Sequence, residues 1–185
     1  MTFAERITID GYNCAECASA MQKCIRRGME RDALFWATEL DRSNFGECVW
    51  KRLRIIASED VGLADPRAVV IIRALYDNWR DQRKKDDTKH APERLFLVHA
   101  VMLLCRADKS RSVDHALVVM YEGPRPRREV PDFALDKHTG RGRARKRGWQ
   151  HWWEMGCQLG TGAPVDYEAE ARAIRDDNQA ELDLD

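Results

Sequence analysis

The stretch Ile56-Ala-Ser-Glu-Asp-Val-Gly-Leu-Ala-Asp-Pro66 lies between two segments whose apolar residues recur every three to four positions, the spacing of one helix face. Gly62 can adopt the left-handed backbone that ends a helix, and Asp65 followed by Pro66 is typical of the start of the next. The stretch therefore predicts a corner between two helices, with acidic side chains that satisfy free amides. A second interpretation makes this corner an interface with another protein, formed by Ser58, Glu59, Asp60, Gly62 and Asp65.

Apolar spacing on both sides of this corner predicts a bundle of helices. Six segments fit the helical period, at residues 14–25, 33–40, 49–57, 66–79, 92–105 and 112–120. The first two are expected to form a helical hairpin, and the fifth, which is apolar almost all round, is expected at the centre. No segment alternates as a strand does, so the predicted fold class is all-α, a helical bundle with a basic arm and an acidic tail.

Charge is distributed unevenly along a chain of zero net charge, and this divides it into three parts. We predict a helical bundle at 1–123, a basic arm with a short tryptophan-rich helix on or near the bundle at 124–160, and a linker with an acidic tail at 161–185. Residues 125–147 carry nine Arg or Lys against three acids. The glycine- and arginine-rich stretch 139–148 is not expected to fold alone, and the tail is either an exposed acidic helix or disordered.

The basic arm supplies the candidate residues for binding nucleic acid. Cationic side chains can neutralise phosphates, and tryptophans beside them can stack on unpaired bases. The candidates are Lys137, His138, Arg141, Arg143, Arg145, Lys146, Arg147 and Trp149. The alternative is that the tryptophans pack into the bundle while the arginines pair with the acidic tail or with acids of a partner.

Motifs for metal or nucleotide chemistry are weak. Cys14, Cys17 and Cys24 fall on one face of a helix and could supply three metal ligands. Zinc would need a fourth ligand from elsewhere, so packing of the thiols in the core is favoured and no metal is expected. The glycines at 160 and 162 lack the lysine and helix of a phosphate-binding loop. The sequence therefore predicts no cofactor and no catalytic residues.

A small enzyme remains as an alternative, with a pocket built from histidines at positions 99, 115, 138 and 151. Catalysis would require two of them to converge with an acid. His99 lies in an apolar helix and is expected to be a core residue, whereas Asp114 and His115 are expected on a solvated face. The charged residues 1–10 do not form a secretory signal and no segment is long enough to span a bilayer, so we expect a cytoplasmic protein with reduced cysteines.

Three parts of the sequence resemble one family. They are Asp32-Ala-Leu-Phe-Trp-Ala37, the corner stretch 56–66, and residues 92–117 with Ala107-Asp-Lys-Ser110 inside. Together they resemble the C-terminal domain of the MgsA/RarA family of AAA+ ATPases, replication-associated recombination proteins related to the clamp loaders. The resemblance covers Tyr12 to Gly123, after which the basic segment and tryptophan cluster depart from the family's glycine- and aromatic-rich ending.

The resemblance implies a helical oligomerisation domain that follows the ATPase and lid domains and mediates homotetramer assembly. It does not imply ATPase activity here, because the nucleotide-binding modules are not among these residues. We therefore expect a non-enzymatic assembly module associated with DNA in replication, recombination or repair. The partners expected are further copies of the chain, as a tetramer if it follows the family, and DNA. Alternatively, the chain is an adaptor that co-assembles with a separate AAA+ ATPase.

Overall fold

The computed structural model describes residues 3–83 and 91–182, and within these ranges the chain is all-α. Its helices are α1 (Cys14–Arg26), α2 (Glu30–Arg42), α3 (Gly46–Ile56), α4 (Arg67–Arg83), α5 (Glu93–Arg106), α6 (Ser112–Tyr121), α7 (Gly140–Ala144), α8 (Trp149–His151) and α9 (Glu168–Leu182). The described residues form no strand, only one isolated bridge between Ile7 and Asn13. The predicted fold class is confirmed. Residues 1–2 and 84–90 of the predicted bundle and 183–185 of the predicted tail lie outside the described residues.

The expected hairpin is formed by α1 and α2. Asn13 caps α1, because its side-chain oxygen accepts hydrogen bonds from the backbone N–H of Ala15 at 2.9 Å and of Glu16 at 3.1 Å. Gly28, with a φ of 70°, makes the turn into α2. The buried face of α1, which includes Met21 and Ile25, packs on α2 and on the rest of the bundle.

The corner between α3 and α4 forms where the sequence predicts it. The chain leaves α3 through a π-turn (Ala57–Val61) and a 3-10 turn (Gly62–Ala64), with Gly62 at a φ of 50°. Asp65 Oδ1 accepts a hydrogen bond from the Arg67 N–H at 3.2 Å, as a cap of α4 should. The other acids of the corner do not cap α4, so the expectation that they satisfy its free amides holds for Asp65 alone.

Helix α5 contacts α1, α2, α3 and α4, but only one of its faces is buried. Its inner face includes Leu97, Ala100 and Leu104, whereas Leu95 on the outer face is 69% exposed. His99 is also exposed, so its predicted place in the core is wrong. A helix that is apolar on every face still buries only the faces that neighbouring helices cover.

The acidic tail forms a helix that packs on α6. Ala171 and Ile174 of α9 meet Val118 and Val119 of α6 in a small buried cluster separate from the main core. Gly123 permits the close approach, since a Cβ there would lie 2.7 Å from the Ile174 Cδ1. Of the two predicted states of the tail, the helix is therefore the one that forms. None of the described helices is both long enough and apolar enough to cross a bilayer.

Candidate nucleic-acid interface

The basic segment is part of a small folded unit, here called the basic module (residues 132–156). It consists of a 3-10 turn (Asp132–Ala134), α7, and α8 continued by a π-turn (Trp152–Gly156). Thr139 caps α7, because its Oγ1 accepts a hydrogen bond from the Gly142 N–H at 3.0 Å. Residues 139–148, which are not expected to fold alone, fold here together with residues 132–136, and the Thr139 cap starts a helical turn that the glycine content obscured.

Gly142 is buried at the centre of the basic module. A Cβ at this position would lie 1.8 Å from the carbonyl oxygen of Asp136, which is backbone and cannot move aside. A Cβ added at Gly140, two residues earlier, would have no neighbouring atom within 4 Å. The module therefore requires glycine at 142 for a close backbone approach, while 140 tolerates a side chain.

Two of the predicted binding residues hold the module together. The Arg147 guanidinium donates hydrogen bonds to the backbone carbonyls of Asp132 at 2.9 Å and Leu135 at 2.8 Å, and to the Asp132 carboxylate at 2.7 Å. Arg145 donates to the same carboxylate at 2.8 Å. Hydrogen bonding from Arg147 holds the pKa of Asp132 below its ordinary value. These two arginines are thus engaged inside the module.

Four further candidates form one group, in which Lys137 and His138 contact the Trp149 ring and Arg143 contacts His138. The Lys137 ammonium lies 3.4 Å from the centre of this ring, a cation–π contact. The His138 ring meets its edge at a centroid distance of 6.4 Å. Arg143 donates a hydrogen bond to the His138 carbonyl at 3.1 Å. The structure therefore brings Lys137, His138, Arg143 and Trp149 together, as their clustering in sequence suggested.

The remaining candidates, Arg141 and Lys146, are exposed and have no ion-pair or hydrogen-bond partner for their side chains among the described residues. Trp149 is 58% exposed and Trp153 is 61% exposed, with Trp152 in edge contact with both. Free cations and accessible indoles therefore share one module.

The alternative role for the arginines of the module is pairing with the acidic tail or with acids of a partner. The ion pairs of Arg145 and Arg147 go to Asp132, within the module. Among the side chains that the structure describes, which in α9 end at residue 178, no ion pair joins the module to α9. The described ion pairs of the module's arginines therefore lie inside the module.

The second candidate site, the corner, is built around a buried acid. Asp60 is fully buried and accepts hydrogen bonds from Arg26 Nε at 2.5 Å and from Gln22 Nε2 at 3.1 Å. Glu59 accepts from Arg26 at 3.0 Å, and the Asp60 carbonyl accepts from the Ser110 N–H at 3.0 Å. The corner thus ties α1 and the start of α6 together.

The other corner residues differ in exposure. Asp65 pairs with Arg67 at 2.8 Å, and a Cβ on Gly62 would lie 3.2 Å from Val113 Cγ2. Ser58 is exposed and lines a shallow groove of about 470 Å³ together with Ile55 and Leu117. Sequence reasoning missed Arg26 and Gln22 as partners of Asp60, because they lie more than thirty positions away and no local signal marks them.

The cysteines and histidines do not form a site among the described residues. Cys14 and Cys17 are buried, and burial raises the pKa of both thiols, which agrees with core packing. Within the described part of the chain, no three His, Cys, Asp or Glu side chains are placed to hold a metal ion.

The histidines are spread over the molecule. His99 lies on the outer face of α5, His115 lies on α6, and His138 and His151 lie in the basic module. The expectation that Asp114 is solvated is wrong. Its side chain is 10% exposed and pairs with Arg111, and with Arg175 of α9 at 3.5 Å.

Two comparisons with known proteins agree on the family of this chain. Residues 29–153 match the family described as MgsA AAA+ ATPase C terminal. The chain belongs to this family. The replication-associated recombination protein A of Bacillus subtilis (strain 168) is 31% identical over 134 residues, which are 70% of this chain and 30% of that protein. The chain therefore spans under a third of the relative, and what it matches is the C-terminal helical part of an AAA+ ATPase.

The family match also corrects the limits of the predicted resemblance. The family model matches from residue 29, at the start of α2, whereas the predicted resemblance begins at Tyr12. The match continues to residue 153, through the basic segment and into the tryptophan cluster. The expected departure from the family after Gly123 is therefore wrong in position, and most of the basic module lies within the family match.

Proposed function

We propose that the chain is a non-enzymatic assembly module of a replication-associated recombination protein, and that it contacts DNA in the cytoplasm through its basic module. The family membership supports the replication and recombination context. The observation that carries the DNA contact is the combination of the free cations Arg141 and Lys146 with the exposed rings of Trp149 and Trp153 on one module.

The cations of the module differ in what they already contact. Arg145 and Arg147 pair with Asp132, so a phosphate would compete with an existing carboxylate for them. Arg141 and Lys146 can neutralise phosphates without breaking an internal contact. The exposed indoles can stack on unpaired bases of any sequence. Binding should therefore be sequence-independent and should weaken steeply as salt rises.

The outer face of α5 supports the assembly part of the proposal. Leu95, Val98, Met102 and Leu103 line an open groove of about 350 Å³ with His99 and Arg106. An exposed apolar face on a bundle helix is typical of an interface with another helix. Self-association, as a tetramer, is the arrangement we propose, and light scattering measures it directly. Co-assembly with a separate AAA+ ATPase would show as co-purification that survives removal of the residues after Gly123.

The DNA contact is tested by fluorescence anisotropy with single- and double-stranded oligonucleotides over a salt series. The double variant Arg141→Glu with Lys146→Glu leaves the internal pairs of Asp132 intact. We expect it to weaken duplex binding about tenfold or more at low salt and to reduce the salt slope by about 1.8, the value for two phosphate contacts.

The matched control carries the same charge change elsewhere. Lys23 and Arg31 are exposed on α1 and α2, and Lys23→Glu with Arg31→Glu should leave the affinity nearly unchanged. Circular dichroism confirms that both variants fold. Intact binding by the Arg141 and Lys146 variant at low salt would show that the module does not contact DNA.

A further inference from the structure

A second cleft lies outside the basic module and is here called the arm cleft. It opens between the end of α6, the extended segment 124–128 and the start of α9, with a volume of about 690 Å³. That volume is within the range of roughly 300–1,000 Å³ that ligand sites occupy. Its lining residues are Val119, Met120, Tyr121, Pro124, Arg125, Pro126, Arg128 and Glu170.

The arm cleft is shaped by fixed backbone. Gly123 lets α9 approach the end of α6, and Ala171 and Ile174 pack there on Val118 and Val119. Pro124 and Pro126 restrict the backbone that leaves α6 and keep it out of a helix. Arg175 also joins α9 to α6 through Asp114 at 3.5 Å. These contacts hold α9 against α6, and the two prolines restrict the backbone of the segment that forms the other side of the cleft.

The chemistry of the lining fits an unpaired nucleotide segment. Arg125 and Arg128 are exposed, and neither side chain has an ion-pair partner in the described residues. The Tyr121 ring is 80% exposed, although a tyrosine at a helix end could have packed against the core. Cations beside an accessible aromatic ring are the combination that binds a phosphate backbone and stacks a base.

Glu170 sets the orientation of such a ligand. It is the acid in the lining and it comes from α9, whereas the arginines come from the arm. A carboxylate repels phosphates and accepts hydrogen bonds from base N–H groups, which include the N3–H of thymine and the amino groups of the other bases. The phosphates therefore belong on the arm side, and the base belongs between Tyr121 and α9.

We propose that the arm cleft binds single-stranded nucleic acid, with phosphates on Arg125 and Arg128 and one base stacked on Tyr121. This inference rests on the proposed function in that the chain contacts nucleic acid, but it adds a contact on different residues. Stacking on Tyr121 requires a base that is free of its own helix, so the cleft should prefer single strands to duplex.

The base contact is tested with two single-stranded oligonucleotides of equal length, one of thymidines and one with abasic sites in their place. The wild type should bind the thymidine strand more tightly. Tyr121→Ala should weaken that binding about fivefold or more and leave abasic binding unchanged, because the loss is one of stacking. Trp149→Ala, in the basic module, should weaken it further when combined with Tyr121→Ala.

The phosphate contacts are tested by three neighbouring arginines. Arg125 and Arg128 line the cleft, whereas Arg127 is exposed on the same segment and does not. Arg125→Ala and Arg128→Ala should each reduce the single-strand salt slope by about 0.7, and Arg127→Ala should leave it unchanged. The three variants carry the same loss of charge, so only position in the cleft distinguishes them.

The outcomes separate this inference from the proposed function. An equal effect of all three arginines would mean that the segment acts as unstructured charge, and it would overturn the cleft. So would unchanged binding by Tyr121→Ala, or displacement of the oligonucleotide by polyglutamate at equal charge, which would indicate an acidic protein partner. Weak binding by the Arg141 and Lys146 variant together with any of these results would leave the proposed function standing without the cleft. Normal binding by that variant together with the expected cleft results would support the cleft and overturn the DNA contact of the basic module.

Discussion

The bundle of α1–α5 and the basic module are stabilised by different interactions. The bundle buries large side chains completely, among them Trp50 and Trp79, which pack with Tyr76 at ring distances of 5.7–6.0 Å. The module leaves two of its three tryptophans largely exposed and buries little beyond Leu135 and Gly142. Its folded form depends on hydrogen bonds from Arg147 and on the Thr139 cap.

This difference explains why the two regions suit different tasks. Burial of apolar area is the dominant favourable contribution to folding, so the bundle can carry the stability of the chain. A region with few buried contacts opens more readily and keeps its side chains accessible to a ligand. If the two regions are independent, a change that disrupts one of them should leave the other folded.

Truncating one leucine in each region should separate their stabilities. Leu53 is fully buried in the bundle, and Leu53→Ala should lower the free energy of unfolding by about 2–5 kcal/mol in chemical denaturation. Leu135 is 5% exposed but belongs to neither buried cluster of the helices. Leu135→Ala should change that free energy by under about 0.5 kcal/mol, while amide exchange within residues 132–156 becomes faster. If Leu135→Ala destabilised the whole chain as Leu53→Ala does, the two regions would unfold as one unit.

A methyl group at Gly142 should disrupt the module without affecting the bundle. The added Cβ would overlap the Asp136 carbonyl, and overpacking of this kind costs about 1–3 kcal/mol. We expect Gly142→Ala to unfold the module locally, seen as fast amide exchange in residues 132–156, with an unchanged denaturation midpoint.

Gly140→Ala is the matched control for this change. It adds the same methyl group in open space on the same helical turn, and it should leave amide exchange as it is in the wild type or slow it. Equal exchange in the two variants would show that the close approach at residue 142 does not support the module.

The bundle was predictable from sequence because its signals are local. Apolar spacing located the helices α1 to α6 that the structure describes, and Asp65 with Pro66 located the start of α4. The fold of residues 3–83 follows from which faces are apolar, since those faces must be buried against one another. The exposed face of α5 was not predictable, because periodicity shows that a face is apolar and not whether a neighbour covers it.

The contacts of the module and the corner were not predictable, because they join residues by side-chain geometry. No pattern indicates that Arg147 hydrogen-bonds the carbonyls of Asp132 and Leu135, or that Arg26 reaches Asp60. The candidate list of basic residues was therefore right about where cations cluster and could not separate Arg141 and Lys146 from the two arginines that pair internally.

Acid should loosen the module. Arg147 lowers the pKa of Asp132 in the folded chain below its value of about 4 in an unfolded one. A group with a lowered folded pKa stabilises above its unfolded pKa, and the stabilisation is lost as the pH falls through the folded pKa. The indole N–H signals of Trp149 and Trp152 in NMR should therefore shift as the pH falls below about 4.

The expected effect is the smallest of the three, because Asp132 is exposed and solvent screens its ion pairs. Asp132→Asn removes the titrating carboxyl and should abolish the shift in this range. Asp176→Asn, a change of the same kind on α9, should leave the shift intact. A shift of equal size and midpoint in Asp132→Asn would mean that another carboxyl controls the module, and that the pairing of Arg147 with Asp132 does not set its response to acid.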